Sequence, residues 1–596
     1  MAKKYIDIMD TTFRDGFQSV FGGRVLMEDF LPAVEAAKDA GISHFEFGGG
    51  ARFQSLFFYL QENAFDMMDK FREIVGPKAN LQVLSRGINT VMLDTGSREM
   101  IDLFAKLFQK HGTTTVRNFD ALNDIDNLLY SAECIKKYDM NHEIVVTMMD
   151  LPPGCTGAHD VTFYEKTLRS ILDSGIAFDS VCFKDASGTS NPHKVYETIT
   201  MARKLLGDSV HLRLHTHETA GVSVVSYLAA LDAGVNGIDL AASPVSGGTS
   251  QPDILTMMHA TKGTEYNLGD FDITKILKYE ETLSQCLKDY MIPPESMQVM
   301  PIIPFSPMPG GALTANTQMM RDNGNLEKFD EVLFAMKEVV EKGGYGTSVT
   351  PVSQFYWQQA YANVMFGPWK QIAPGYGKMV LGYFGKTPVE PDKEIIKLAS
   401  KQLKLKPTTQ NPLDFADKDE MKSIAYWTKI LEEEGISASD ENIFIAASCD
   451  KKGIAFLKGD GPLMVRKGKY TMNQGGNMSG NYTVVVDGKK FSVQVAEGDA
   501  DIKITEVTNS TSQNNEIGSS SSATAGDTKI ISQTPGNVWK LLVNIGDKVK
   551  EGQKIMILEA MKMEIDVVAP KDGTVASIDV KVDSAVQAGQ ILATLE

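Results

Sequence analysis

The stretch "VHLRLHTHETAG", Val210–Gly221, reads as a single strand that ends in a turn. Successive side chains of an extended strand point to opposite faces, so Leu212, Leu214 and Thr216 share one side while His215 and His217 share the other. The first face suits burial under covering helices. The second brings two imidazoles to one point at the end of the strand, where they can share a metal ion. The alternative is a pair of buried histidines bonded to backbone.

Seven more runs of this kind surround it: "YIDIMDT", "HFEFGG", "NLQVLSR", "TTVRNFD", "HEIVVTMM", "DSVCFKD" and "GIDLAAS". Helical stretches such as "LMEDFLPAVEAAKDAG" separate them, and Gly41 and Gly234 sit where helix-ending C′ glycines belong, each before the next strand. Eight such units within about 250 residues are the pattern of a (β/α)8 barrel, an α/β fold of short apolar parallel strands. Chemistry in such barrels sits at the C-terminal strand ends. "DTTFRDGFQS", "SRG", "FKDASG" and "HTHETAG" all have that address.

At 596 residues, 43% hydrophobic and 23% charged, the chain is long enough for several domains. A net charge of −17 with no Lys/Arg cluster excludes a nucleic-acid or anionic-membrane partner and points to small molecules or proteins. Five scattered cysteines, none in CxxC spacing, fit reduced thiols and a cytoplasmic location. No apolar run approaches the roughly 20 residues that span a bilayer.

Beyond the barrel, assigned to residues 1–300, a mainly helical domain is expected over 301–465, with amphipathic pieces such as "NLEKFDEVLFAMKEVVEKGG". "NYTVVVDGKKFSVQV" predicts a hairpin around a D-G turn within 466–498. The polar "NSTSQNNEIGSSSSATAG" predicts a flexible linker over 499–527. The last segment, 528–596, repeats itself at a shift of 37, which superposes Gly536 on Gly573, Val538 on Val575, Val549 on Val586 and Gly552 on Gly589. Two such units make a small all-β sandwich with approximate two-fold symmetry, and Lys562 of "ILEAMKMEIDVVAP" falls between them.

On that layout, "EAMKM" resembles the biotinyl domains of biotin-dependent carboxylases, in which the central lysine carries biotin. The resemblance implies covalent biotin on Lys562, added by a biotin protein ligase. The barrel is similar to the carboxyltransferase domain of pyruvate carboxylase, the oxaloacetate decarboxylase alpha subunit and the transcarboxylase subunit. Their pattern implies a divalent metal (zinc, manganese or cobalt, with magnesium also possible) on Asp15, a carbamylated Lys184, His215 and His217. It also implies substrate binding by Gln18 and Arg86, and a catalytic Thr314 in "MPGGALTAN". Read without the family, Lys184 is equally a salt-bridge partner of Asp185, Arg86 an ordinary ion pair and Thr314 a turn or capping residue.

The implied activity is that of the carboxyltransferase and biotin carrier subunit of a two-subunit pyruvate carboxylase, acting on a small 2-oxoacid. No ATP-grasp pattern or phosphate-cradling glycine loop is present, so a separate ATP-dependent biotin carboxylase subunit is expected, with homo-oligomerisation. Alternatives are the alpha subunit of a sodium-pumping oxaloacetate decarboxylase with membrane partners, a carboxylase of another 2-oxoacid such as 2-oxoglutarate, and a metal-dependent acyl-CoA lyase or synthase. A biotin carrier with a catalytically dead barrel is a further reading, which the intact Asp15, Lys184, histidine pair, Arg86 and Thr314 disfavour. Phe17, Gly48 and Leu93 depart from the family pattern of His, Trp and Tyr, and are expected near the pocket, where they bear on which 2-oxoacid binds.

Overall fold

The computed structural model describes residues 3–468, the strands at 480–486 and 489–495, and 528–596 apart from 533–535, 561–562, 583 and 587–588. Eight parallel strands close into a barrel in chain order: β1 Asp7–Asp10, β2 His44–Gly49, β3 Asn80–Ser85, β4 Thr115–Asn118, β5 Asn141–Thr147, β6 Ser180–Asp185, β7 His211–Thr216 and β8 Gly237–Leu240. All eight coincide with the runs expected from the sequence. Pairing of Asp10 with Leu240 closes the ring, and the β6–β7 register sets Lys184 directly beside His215.

The alternation in β7 works as expected on its outer face. Leu212 and Leu214 are fully buried against the helices, worth roughly 1.5–3 kcal/mol each in apolar burial. The inner face differs from the usual aliphatic filling of such barrels. Here the interior is ionic. Arg117 bonds Glu143 and Asp239, each at 2.5 Å, and Arg213 bonds Asp239 at 3.0 Å and also Asp7. Charges buried this deeply persist only when paired and hydrogen-bonded.

Helices Gly310–Asp322, Phe329–Lys342 and Val352–Phe366 form the next layer. Their core residues Leu313, Met336, Tyr356 and Trp357 pack in one cluster with Leu84, Phe119, Val145 and Cys182 from the C-terminal half of the barrel. These helices therefore cover the barrel's chemical end. A separate face of the barrel, with Phe53, Phe65, Phe104 and Phe108, packs on Phe444.

Strands β9 Gly480–Val486 and β10 Lys489–Val495 pair antiparallel as the expected hairpin. The linker expected over 499–527 lies outside the described residues. The C-terminal segment contains β11 Thr528–Ile531, β12 Gly536–Leu541, β13 Lys548–Val549, β14 Lys554–Ala560, β15 Met563–Val568, β16 Gly573–Ile578, β17 Ala585–Val586 and β18 Ile591–Leu595. They form two four-stranded sheets, β11-β18-β16-β13 and β15-β14-β12-β17. The 37-residue shift carries β12 onto β16, β13 onto β17 and β14 onto β18, so each sheet maps strand by strand onto the other. Ala560 pairs with Met563. Lys562 itself lies outside the described residues.

Candidate active site

Asp15 lies in a wide helical turn, Thr12–Gly16, just past β1; His215 is on β7 and His217 just beyond it. Their ligating atoms converge: Asp15 Oδ2 is 3.2 Å from His215 Nε2 and 3.3 Å from His217 Nε2, and the two Nε2 atoms are 3.1 Å apart. All three residues are buried, and among the described residues they are the group spaced to hold a metal ion.

The partners of the other ring nitrogens fix the tautomers. His217 Nδ1 is 2.6 Å from the carbonyl oxygen of Thr249, which can only accept, so Nδ1 carries the proton. His215 Nδ1 donates to Asp239 Oδ2 at 2.7 Å. Burial and the neighbouring Lys184 charge push His215 down to about 4, so its ring is neutral at pH 7. The bare Nε2 of His215 and the Nε2 of His217 therefore both face a carboxylate oxygen. Such a set calls for a cation between them, and the outward Nδ1–H bonds are the usual support of metal-bound histidines.

Burial would raise the Asp15 carboxyl, but Arg14 and His217 hold it well below the usual range. Burial lowers the Lys184 ammonium, with the Asp15 charge opposing. Asp185 accepts from the Ser187 hydroxyl at 2.9 Å and from the Ser190 amide at 2.6 Å, so the Lys184–Asp185 salt bridge is not formed.

A cavity of about 40 Å³ adjoins this group, walled by Asp15, Gln18, Arg86, Lys184 and His217 with Leu84 and Phe119, and roofed by Pro309, Gly311 and Thr350. A larger cavity of about 600 Å³, between Asp124–Asn127 and the helical layer, contains none of the expected site residues. The buried Arg86 donates to the carbonyls of Val91 at 2.7 Å and Met92 at 3.2 Å, and no carboxylate pairs with it among the described residues. Burial, then the nearby Arg14, lowers it to about 9. The ordinary ion pair considered for it is absent. Arg14, by contrast, is neutralised by Asp15 at 3.1 Å and Glu46 at 2.6 Å. Gln18 Oε1 accepts from the amides of Ala51 and Arg52, each at 3.2 Å, which turns Nε2 toward Gly311 at the cavity edge.

Thr314 is fully buried one turn into its helix, off the cavity wall, and its hydroxyl donates to the carbonyl of Ser19. The helix start needs glycine: a Cβ on Gly310 would sit 1.8 Å from the Thr249 carbonyl oxygen, the atom that holds His217.

Two expected pocket residues point elsewhere. Phe17 turns into the hydrophobic core, its ring 5.2 Å from Phe30 and 5.8 Å from Phe13, because the turn that aims Asp15 and Gln18 inward aims Phe17 outward. A Cβ on Gly48 would meet Val83 and Met68, the helix side of the barrel wall. Leu93 is half-buried and off the cavity wall. Sequence reasoning missed Gln251, whose Nε2 is 3.1 Å from both Asp15 Oδ2 and His217 Nε2, and Asp239 beneath His215. An aspartate in the apolar run "GIDLAAS" was the available signal for the second.

Comparison with known proteins matches two stretches of the chain to family models. Residues 303–498 match the model described as "Conserved carboxylase domain", and 528–595 match "Biotin-requiring enzyme", which accounts for covalent biotin as the cofactor. The chain is 29% identical over 569 residues to a pyruvate carboxylase subunit of Methanocaldococcus jannaschii, covering 94% of each. It is 30% identical over 449 residues to the methylmalonyl-CoA carboxyltransferase 5S subunit of Propionibacterium freudenreichii, covering 74% of this chain and 85% of that one. The carboxyl transferase domain of Rhizobium etli pyruvate carboxylase, 22% identical, superposes with a TM-score of 0.70 over 83% of this chain and 89% of that domain, which establishes the shared fold. The barrel, its covering helices and the biotinyl segment thus agree in one conclusion: the chain belongs to the family of biotin-dependent carboxyltransferases.

Proposed function

We propose that this chain is the carboxyltransferase and biotin carrier subunit of a two-subunit pyruvate carboxylase, moving a carboxyl group from carboxybiotin to pyruvate to give oxaloacetate. The observation that carries the substrate class is Arg86: a buried guanidinium without a carboxylate partner among the described residues, in a small cavity beside the Asp15–His215–His217 group. A buried unpaired cation is costly unless an anion completes it, and a guanidinium forks onto a carboxylate. One such cation fits a monocarboxylate; among the described residues the second carboxylate of 2-oxoglutarate has no comparable partner in the cavity wall, since Arg14 is already neutralised.

Asp15, Lys184 as its carbamate, His215 and His217 would hold a divalent ion, which supplies a Lewis acid for the ketone oxygen when bound. The chain's own residues do the remaining work. Arg86 anchors the carboxylate, and Gln18 turns an amide donor to the cavity edge. In this reading Thr314 exchanges its bond to Ser19 for contact with the reactants and moves the methyl proton to the biotin nitrogen. The cover formed by the Gly310–Asp322 helix keeps bulk water from the carboxyl group in transit.

Lys562 is assigned the biotin on the strength of "EAMKM". Charging of that biotin belongs to a separate ATP-dependent biotin carboxylase, and the two proteins operate together in the cytoplasm. Among the described residues no helix is long and apolar enough to cross a membrane.

Reconstitution with a biotin carboxylase subunit, biotin protein ligase, MgATP and bicarbonate tests the proposal. Oxaloacetate should form from pyruvate. Carboxylation of 2-oxoglutarate with pyruvate left unchanged overturns the substrate assignment.

A further inference from the structure

His215 and His217 lie side by side, but different groups hold their outer nitrogens. His217 donates to a backbone carbonyl, that of Thr249, whereas His215 donates to the carboxylate of Asp239 at 2.7 Å. Asp239 is fully buried, and its two oxygens are shared out without conflict. Oδ2 accepts from His215 and from Arg117 Nη1 at 2.5 Å, and Oδ1 accepts from Arg213 Nη1 at 3.0 Å. Both arginines are anchored in turn: Arg117 through Nε to Glu143 at 2.5 Å, and Arg213 to Asp7 at the opposite end of the barrel. Asp239 therefore cannot rotate without breaking bonds to two cations in the barrel interior.

A carboxylate accepting from Nδ1–H fixes the imidazole as the tautomer with a bare Nε2 and makes that nitrogen a better electron-pair donor. A backbone carbonyl fixes the tautomer too, but adds no net charge. The two histidines are thus unequal ligands.

We propose that Asp239 is a positioning residue of the metal centre, acting through His215 to orient and strengthen it as a ligand, with Arg117 and Arg213 holding the carboxylate in place. The purpose of the ionic barrel interior, on this account, is to keep a carboxylate ionised under one ligand, held by Arg117 and Arg213 so that it cannot swing into the metal position. The inference rests on the metal-binding reading of Asp15, His215 and His217.

The test measures Co²⁺ binding to the full chain, freed of metal, by competition with a chromophoric chelator, together with the visible absorption of bound Co²⁺ and the thermal midpoint of the metal-free protein. Asp239→Asn keeps the shape and removes the charge; its Co²⁺ dissociation constant should rise about 10- to 100-fold, with a weakened or shifted visible band. Asp120→Asn, at a buried carboxylate outside this ion network that bonds Asn127 and the Leu122 amide, should leave the dissociation constant within about twofold whatever it does to the thermal midpoint. If Asp239→Asn does not fold, Asp239→Asn/Arg213→Met removes one charge of each sign and should show the same weakening.

A folded Asp239 variant that binds Co²⁺ as wild type does, or an Asp120→Asn variant weakened just as much, overturns the positioning role. Failure of the wild-type chain to bind Co²⁺ at all overturns the metal reading beneath it, a distinct result.

Discussion

Thr249 and Thr314, 3.5 Å apart through their hydroxyl oxygens, both donate to the carbonyl oxygen of Ser19. Thr249 also accepts the Nδ1–H of His217 through its own carbonyl, so one residue joins the histidine pair to the helix carrying Thr314. Thr314→Ala removes a hydroxyl asked to move a proton and leaves its neighbours in place. Carboxyl transfer should fall by about 10²–10⁴-fold while ketoacid binding persists within a few-fold, measured by single-turnover decarboxylation alongside equilibrium binding. Equal losses in both would place Thr314 in binding or in structure.

Arg86→Ala should show the opposite split. Loss of a charge-assisted fork, worth about 1.5–3 kcal/mol, weakens ketoacid binding by roughly 10- to 150-fold. Because the guanidinium has no acid partner to strand among the described residues, the variant should keep the wild-type thermal midpoint or exceed it in the absence of ligand. A large drop in stability would show that Arg86 serves the fold.

Gln251 donates from Nε2 to both Asp15 and His217, each across 3.1 Å, while Oε1 accepts from the Thr11 hydroxyl at 2.8 Å. A cation bound at Nε2 of His217 takes over the lone pair that this amide satisfies. Gln251→Ala should therefore cost about 1–3 kcal/mol in metal-free protein and clearly less in metal-loaded protein, read from calorimetry with and without chelator. The same loss in both states would contradict the exchange.

Acid should destabilise the barrel through its buried neutral histidines. Burial lowers His142 to about 4 and His159 to about 3, against about 6.5 in the unfolded chain. The unfolded state then binds more protons, so stability declines as pH falls below about 6.5 and levels off only below the folded values, by up to about 1.4 kcal/mol per pH unit for each histidine. Asp120 acts in the opposite direction, since burial and Asp124 raise it to about 7 and protonation between that value and the unfolded one favours the fold. The clean readout is the difference between wild type and His159→Gln in urea unfolding from pH 7.5 to 5. The gap between their stabilities should change steadily with pH below 6.5; a constant gap contradicts the assignment.

The barrel was legible because its strands are short apolar runs with a period of two, and each helix between them ends in recognisable turn chemistry. The C-terminal symmetry was legible because the repeat keeps its spacing through glycines and valines. The ionic interior was not: Arg117, Glu143, Arg213 and Asp239 come from four different strands, and only barrel closure brings them together. Local order in the chain also misplaced Phe17 and Gly48. They neighbour site residues in sequence, but the turn after β1 and the alternation in β2 send them to the hydrophobic side. Gln251 follows the end of β8 in a loop whose polar residues look alike until His217 and Thr11 are placed against it.

The most direct test of the whole account is one measurement on Lys562. Full-length chain made with biotin protein ligase is weighed intact, and the same preparation is assayed without a partner for biotin-dependent decarboxylation of oxaloacetate. Wild type should carry one biotin and decarboxylate oxaloacetate; Lys562→Arg should carry none, fold normally and lose the reaction, with added free biotin restoring a small part. Full turnover by Lys562→Arg without biotin would contradict the carboxyltransferase mechanism proposed for the barrel.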